Sequence, residues 1–169
     1  MESLQTSGRH RPLITQAQNN TTLWIGHMQN DPKDHFAGQT FVCPSSGLID
    51  NIQVYSTAVQ NPGDVELTLH EFDPVNKNWG PSIAQSARLV EKEDTAKWIR
   101  FDLPSVQLKG GRSYGFRLQT RNAMIGLGEA ATGNKEPFTF GHEWKADSID
   151  QQGHYYSYFS LAFKIELCA

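Results

Sequence analysis

Side chains suited to binding a sugar are concentrated near the end of the chain. Trp144 and three tyrosines fall within fifteen residues, with carboxylates, amides and histidines between them. Flat aromatic rings stack on the apolar faces of sugars, while polar side chains bond the hydroxyl groups, and small-molecule sites combine both kinds of wall. We therefore predict a weak carbohydrate site formed by His142, Glu143, Trp144, Asp147, Tyr155 and Tyr156, with Trp79 as a further ring.

A packing role is the alternative for the same rings. Large aromatic side chains usually fill the ends of a β-sandwich core. Trp79 lies in Asn78-Trp79-Gly80-Pro81, which we expect to be a loop. A loop normally avoids a large apolar ring, so this position favours a binding role. The polar neighbours of Trp144 favour the same interpretation.

Catalytic and metal-binding motifs are weak in this sequence. His142-Glu143 and His70-Glu71 are adjacent pairs, and a strand would place the two members on opposite faces. A zinc site needs three or four converging ligands. Met124–Gly133 contains glycines without a phosphate-loop motif, and no Gly-x-Ser-x-Gly is present. Facing carboxylates would suit a glycosidase, and the candidates are Asp102, Glu129, Glu136 and Glu143. We predict that the protein is not an enzyme, with a small sandwich hydrolase as the third possibility.

The positions of apolar residues predict strands along most of the chain. Residues 159–167 have an apolar residue at every odd position, which is the period of a strand. About nine or ten such runs are separated by turn signals, with no convincing helix, so we predict an all-β, antiparallel β-sandwich of jelly-roll type. We expect residues 1–22 to form a polar, irregular N-terminal arm and residues 23–169 to form one domain. The predicted core residues are Ile52, Val54, Leu67, Leu69, Ile99, Phe101, Phe116, Leu118, Leu161, Phe163 and Ile165.

Composition excludes some classes of partner. Formal net charge is −3, from 15 basic and 18 acidic residues, whereas nucleic-acid binders usually carry a basic stripe. No apolar run approaches the roughly 18 residues of a membrane span. Met1–Gly8 shows no signal-peptide pattern. Cys43 and Cys168 are expected either to pair or to remain as two buried thiols.

Several segments carry a resemblance to a known class of module. They are Gln39–Pro44, Leu48–Tyr55, Gly63–Leu69, Trp98–Phe101, Leu108–Leu118 and Leu161–Lys164. Over residues 38–167 the pattern resembles jelly-roll modules appended to bacterial surface and secreted proteins, including carbohydrate-binding-like ones. The resemblance implies a cell-surface or secreted binding or accessory module. It also implies a structural calcium held by loop oxygens, for which the candidates are Asp31, Asp34, Asp73 and Asp147.

The expected function is therefore non-catalytic binding of a carbohydrate. The main alternative is a structural or assembly protein, because an N-terminal arm that crosses to a neighbouring subunit is a common way for jelly rolls to form oligomers. A sugar site would appear as a concave groove with exposed rings, and an assembly surface as a docked arm or an exposed apolar patch.

Overall fold

The computed structural model describes residues 10–133 and 135–169, and almost all of its regular structure is β-strand. The only helical segment in these ranges is a short 3-10 turn, Lys92–Asp94, so no described helix could cross a bilayer. The strands are β1 (His10–Gln16), β2 (Thr21–His27), β3 (Asp34–Val42), β4 (Gly47–Asn61), β5 (Gly63–Asp73), β6 (Asn78–Val90), β7 (Lys97–Asp102), β8 (Gln107–Leu108), β9 (Ser113–Thr120), β10 (Met124–Ala131), β11 (Glu143–Asp147), β12 (His154–Tyr156), β13 (Phe159–Leu161) and β14 (Phe163–Cys168).

Every strand pairing is antiparallel, and the main strand order is β1-β14-β4-β10-β2-β3-β9-β5-β6. The long strand β4 connects two parts of this sheet. Its first half pairs with β14 on one side and β7 on the other, and its second half pairs with β10. Further along the strand order, β3 also pairs with β11, and β11 pairs with β12. This part of the sheet carries the candidate site.

The sheet folds back on itself around one hydrophobic core. The rings of Phe116 in β9 and Phe163 in β14 have centroids 5.7 Å apart, although four strands separate β9 from β14 in the sheet. Contact across that separation requires two packed layers. All eleven core residues predicted from the sequence are almost completely buried. The prediction of an all-β, antiparallel β-sandwich is confirmed.

The N-terminal segment differs from the prediction. The prediction of an irregular arm is wrong for residues 10–16, which form β1. This strand pairs with β14 of the same chain, from His10 opposite Cys168 to Gln16 opposite Phe163. A register shift between Pro12 and Ile14 breaks the alternation of side chains, so no period of two was visible. Residues 1–9 of the predicted arm lie outside the described residues.

The two cysteines are not bonded to each other. Cys43 is buried, and burial raises the pKa of its thiol. Cys168 lies at the end of β14, with its Sγ 3.6 Å from the carbonyl oxygen of Ile49. The structure therefore has two free thiols, but only Cys43 is buried as the second alternative expected, because Cys168 is half-buried.

Candidate functional site

Trp144 occupies the outer face of β11. Residue 144 pairs with Gly38 of β3 on one side and Tyr155 of β12 on the other. A Cβ atom at residue 38 would lie 3.1 Å from the Trp144 ring, so glycine leaves the space that the indole fills. The indole N–H donates to the carbonyl oxygen of Gln152 at 2.9 Å. These contacts fix the ring flat against the sheet, and it is only 2% exposed.

Trp79 reaches the same place from β6, so the expected loop is wrong for this residue. Its ring lies over Gly115 of β9, where a Cβ atom would come within 2.5 Å of it. The Trp79 and Trp144 rings have centroids 5.4 Å apart. The Trp79 indole N–H donates to the hydroxyl oxygen of Tyr155 at 2.8 Å. The ring of Phe72 packs against the rings of Trp79 and Tyr155. Two strand glycines and two tryptophans thus form one aromatic layer on the outer face.

Arg117 lies against both tryptophan rings. Its guanidinium carbon is 4.3 Å from the centroid of Trp79 and 4.4 Å from that of Trp144. Its Nε atom is buried without a hydrogen-bond acceptor, and no carboxylate of the described residues lies within 4.0 Å of the guanidinium. Burial lowers the pKa of Arg117, although the group stays charged at any physiological pH. We call Trp79, Arg117, Trp144 and Tyr155 the arginine cluster.

The surroundings of the arginine cluster carry positive charge. Burial, with a smaller effect from Arg117, lowers the pKa of His70, whose ring meets the edge of Trp79. Burial and then the ammonium of Lys77 lower the pKa of His142. The Lys77 ammonium itself lies 4.9 Å from the centroid of the Tyr155 ring. Both histidines are therefore held neutral, so Arg117 and Lys77 supply the positive charge at the arginine cluster.

A groove on the outer face leads to the arginine cluster. Its main part has a volume of about 540 Å³ and is lined by Asp34, Phe36, Asp64, Val65, Glu66, Ala87, Gln119, Thr120, Arg121 and Asn122. A hollow of about 70 Å³ adjoins it, since the two share Phe36 and Gln119 as wall residues, and its other walls are Arg117, Leu118, Trp144 and Gln151. We call the two together the outer groove.

The remaining predicted site residues are not all in the arginine cluster. Tyr156 pairs with Glu143 across β11 and β12, and its ring packs on Phe159. His142 makes backbone hydrogen bonds with Thr40 and lines a separate pocket of about 140 Å³. Asp147 accepts hydrogen bonds from the amides of Ile149 and Asp150, which lowers its pKa. The structure thus brings Trp79, Trp144 and Tyr155 together, while whether any of these residues binds a ligand stays a prediction.

Glu143 lies on the opposite face of β11 from Trp144. It is fully buried, and Lys145 Nζ lies 3.6 Å from its Oε2 and 3.2 Å from Oε2 of Glu129 in β10. Neither oxygen of Glu143 has an aligned hydrogen-bond donor among the described residues. Burial, and then the carboxylate of Glu129, raise the pKa of Glu143 far above its usual range. Glu143 is therefore protonated at neutral pH, and with the buried Glu129 and the half-buried Lys145 it forms a group without net charge, which we call the inner ionic group.

Two features of the site escaped sequence reasoning. Arg117 alternates with apolar residues like any outward-facing strand residue, so nothing marked it as a partner of tryptophans. Gly38 and Gly115 offered the better signal, because glycine within a strand often marks close approach of another group. The four carboxylates predicted for calcium are bonded to other groups of the chain: Asp31 to His35, Asp34 to His27, Asp73 to its own turn and Asp147 to backbone amides. No group of three or more metal-ligating side chains occurs within residues 10–133 and 135–169.

Comparison with known proteins adds no relative to this picture: no protein-family model matches the chain, and no curated protein is significantly similar to it in sequence.

Proposed function

We propose that the protein is a non-catalytic carbohydrate-binding module whose site is the outer groove. The observation that carries the proposal is a concave surface in which the Phe36 ring lies among many hydrogen-bonding side chains. Phe36 is half-buried at the junction of the groove and the hollow, where a sugar ring would meet its face. Gln119 and Asn122 supply amide groups for hydroxyls, and Asp64 and Glu66 supply carboxylates.

The position of the rings changes how the sugar would be held. Trp144 is too buried to offer an open face, so it supports the arginine cluster instead of stacking on the ligand. Phe36 takes the stacking role, and Trp79 and Trp144 hold Arg117 in place. A shallow groove of this kind fits weak binding, in the micromolar to millimolar range, which corresponds to about −8 to −4 kcal/mol.

The two rival functions have less support. An assembly protein would use its N-terminal arm on a neighbour, but residues 10–16 pair with β14 of their own chain. A hydrolase would use two facing carboxylates, and Glu129 and Glu143 do face each other. However, Glu143 is fully buried and held by Lys145, so a substrate has no access to it in this conformation.

Glycan-array binding, followed by calorimetry on the glycans retained, tests the proposal. We expect at least one class of oligosaccharide to bind. Phe36→Ala should weaken that binding by about fivefold to tenfold, because one aromatic contact is lost. Val75→Ala is the matched control, since Val75 has the most exposed large apolar side chain among the described residues and lies outside the outer groove. Circular dichroism should show both variants folded.

The proposal fails if the wild type retains no glycan. It also fails if a glycan binds and Phe36→Ala and Val75→Ala have equal effects, because the ligand would then lie elsewhere on the sandwich. A wild type that binds no glycan but forms a defined oligomer in light scattering would favour the assembly function instead.

A further inference from the structure

We infer that the hollow at Arg117 receives the single carboxylate of an acidic sugar at the end of an otherwise neutral oligosaccharide. The inference rests on the proposed function and names the class of ligand. Arg117 is partly buried against two tryptophan rings, and no described carboxylate pairs with its charge. Its Nε atom is inaccessible, so a ligand in the hollow would meet the terminal Nη atoms of the guanidinium. Leaving a buried donor or charge unpaired is costly, so a site that maintains one is prepared for an anion.

The two tryptophan rings fix the direction of the guanidinium. Contacts of 4.3 Å and 4.4 Å on two rings restrict the plane of the Arg117 fork. Each ring is itself held by a hydrogen bond from its indole N–H, to Tyr155 for Trp79 and to Gln152 for Trp144. A planar, fixed guanidinium binds a carboxylate through two parallel hydrogen bonds, and little freedom is lost when they form.

The size of the hollow favours a substituent over a whole sugar ring. The hollow has a volume of about 70 Å³, whereas the main groove has about 540 Å³. We therefore place the carboxylate in the hollow and the sugar ring that carries it in the main groove.

The distribution of charge along the outer groove excludes a polyanion. Arg117 stands at one end, and Asp34, Asp64 and Glu66 line the main groove with Arg121 as their only basic companion there. A chain with a carboxylate or sulfate on every sugar would meet these acids. A neutral chain presents hydroxyl groups to these carboxylates, and each hydroxyl can donate a hydrogen bond to a carboxylate oxygen. An oligosaccharide with one carboxylate on its terminal sugar and hydroxyl groups elsewhere would suit both the cationic end of the groove and its acidic main part.

Calorimetry with matched sugar pairs tests the inference. The pairs are cellobiouronic acid with cellobiose, in which a carboxylate replaces one hydroxymethyl group, and sialyllactose with its neutral methyl ester, in which the carboxylate is masked. We expect the wild type to bind at least one acidic member about tenfold more tightly than its neutral partner. Arg117→Met should remove this difference between the acidic and the neutral member. Arg117→Lys, which keeps the charge but loses the fork, should retain only part of it.

Arg121→Met is the matched control, because it removes an arginine from the same groove at a distance from the hollow. It should change the acid preference less than about twofold. Equal binding of acidic and neutral members, with no effect of Arg117→Met, would overturn the inference while leaving the proposed function intact. Preference for sulfated lactose over sialyllactose would overturn the carboxylate assignment.

The remaining outcome is that no oligosaccharide binds, which contradicts the proposed function. The anion site is then tested alone with free glucuronate in a thermal-shift assay. Stabilisation by glucuronate, absent with glucose and absent in Arg117→Met, would support the Arg117 site without the module function. No stabilisation would overturn both.

Discussion

Two charged regions lie on opposite faces of β11. The chain itself neutralises the charge of one region and leaves the charge of the other without a counter-ion. On the inner face, Glu143 joins Glu129 and Lys145 in a group whose charges cancel once Glu143 holds a proton. On the outer face, one residue further along, Trp144 packs against Arg117, whose charge has no partner among the described residues. Glu129 and Glu143 are buried, whereas Lys145 and Arg117 are half-buried.

The contrast separates a structural role from a binding role. A buried charge that is neutralised by its own chain specifies packing and leaves nothing for a ligand. A held and unpaired cation beside an open groove gains most from a partner that arrives from solution. The inner ionic group should therefore control stability, and the arginine cluster should control binding with little effect on stability.

The largest expected effect on the free energy of unfolding comes from a substitution in the hydrophobic core. Phe163 is fully buried and its ring meets Phe116 and Phe140 across the core. Phe163→Ala should lower the free energy of unfolding by about 3–5 kcal/mol, measured by urea denaturation. Val75→Ala, at an exposed position, should change it by less than about 0.5 kcal/mol. A small effect of Phe163→Ala would contradict the assignment of this ring to the core.

The inner ionic group should make stability depend on pH. Above the ordinary carboxyl pKa of 4.5, the unfolded chain releases the Glu143 proton and the folded chain keeps it. Folding then takes up a proton, so stability falls as pH rises, by up to about 1.4 kcal/mol per pH unit for one group. Denaturation at pH values from about 7 to 9 measures this slope, where histidines contribute little.

Glu143→Gln should remove most of that slope, because the amide cannot ionise. Glu93→Gln is the control, since Glu93 is exposed on the short 3-10 turn. Parallel pH profiles for wild type and Glu143→Gln would mean that Glu143 is already ionised in the folded state, and the inner ionic group would then carry a net charge.

A smaller effect is expected where the aromatic layer meets β9. Gly115→Ala places a Cβ atom within 2.7 Å of two Trp79 ring carbons, so the ring must move. Such overpacking should cost about 1–2 kcal/mol of unfolding free energy and weaken glycan binding. In a double-mutant cycle with Trp79→Leu, the smaller side chain should relieve part of this cost. Additive effects would indicate that Trp79 does not rest on Gly115.

The smallest effect on stability should come from Arg117→Met. The substitution keeps an unbranched apolar stem against the two rings and removes a charge without a partner. We expect the free energy of unfolding to change by about 0.5 kcal/mol or less, or to rise. A loss of more than about 2 kcal/mol would assign Arg117 to the structural group and erase the distinction between the two regions.

The sequence predicted the inner face better than the outer one. Strict alternation identifies core positions such as Ile52, Leu67 and Phe163, because burial on one face is a local property of a strand. The site needed information on which strands are neighbours. Trp79, Arg117 and Trp144 come from three strands far apart in the chain, and only the pairing of β9 with β3 and β5 brings them together. The closeness of the Glu129 and Glu143 carboxyl groups could not be predicted from the sequence for the same reason.

A nuclear magnetic resonance titration of the wild type with cellobiouronic acid is the most direct test of the role of Arg117. We expect saturable shifts of the Arg117 Nε–H signal and of the indole N–H signals of Trp79 and Trp144. Signals of residues beside Glu129 and Glu143 should stay in place. Binding that moves the inner ionic group, or leaves the Arg117 signal unchanged, would contradict the claim that the unpaired charge on the outer face is the one kept for a ligand.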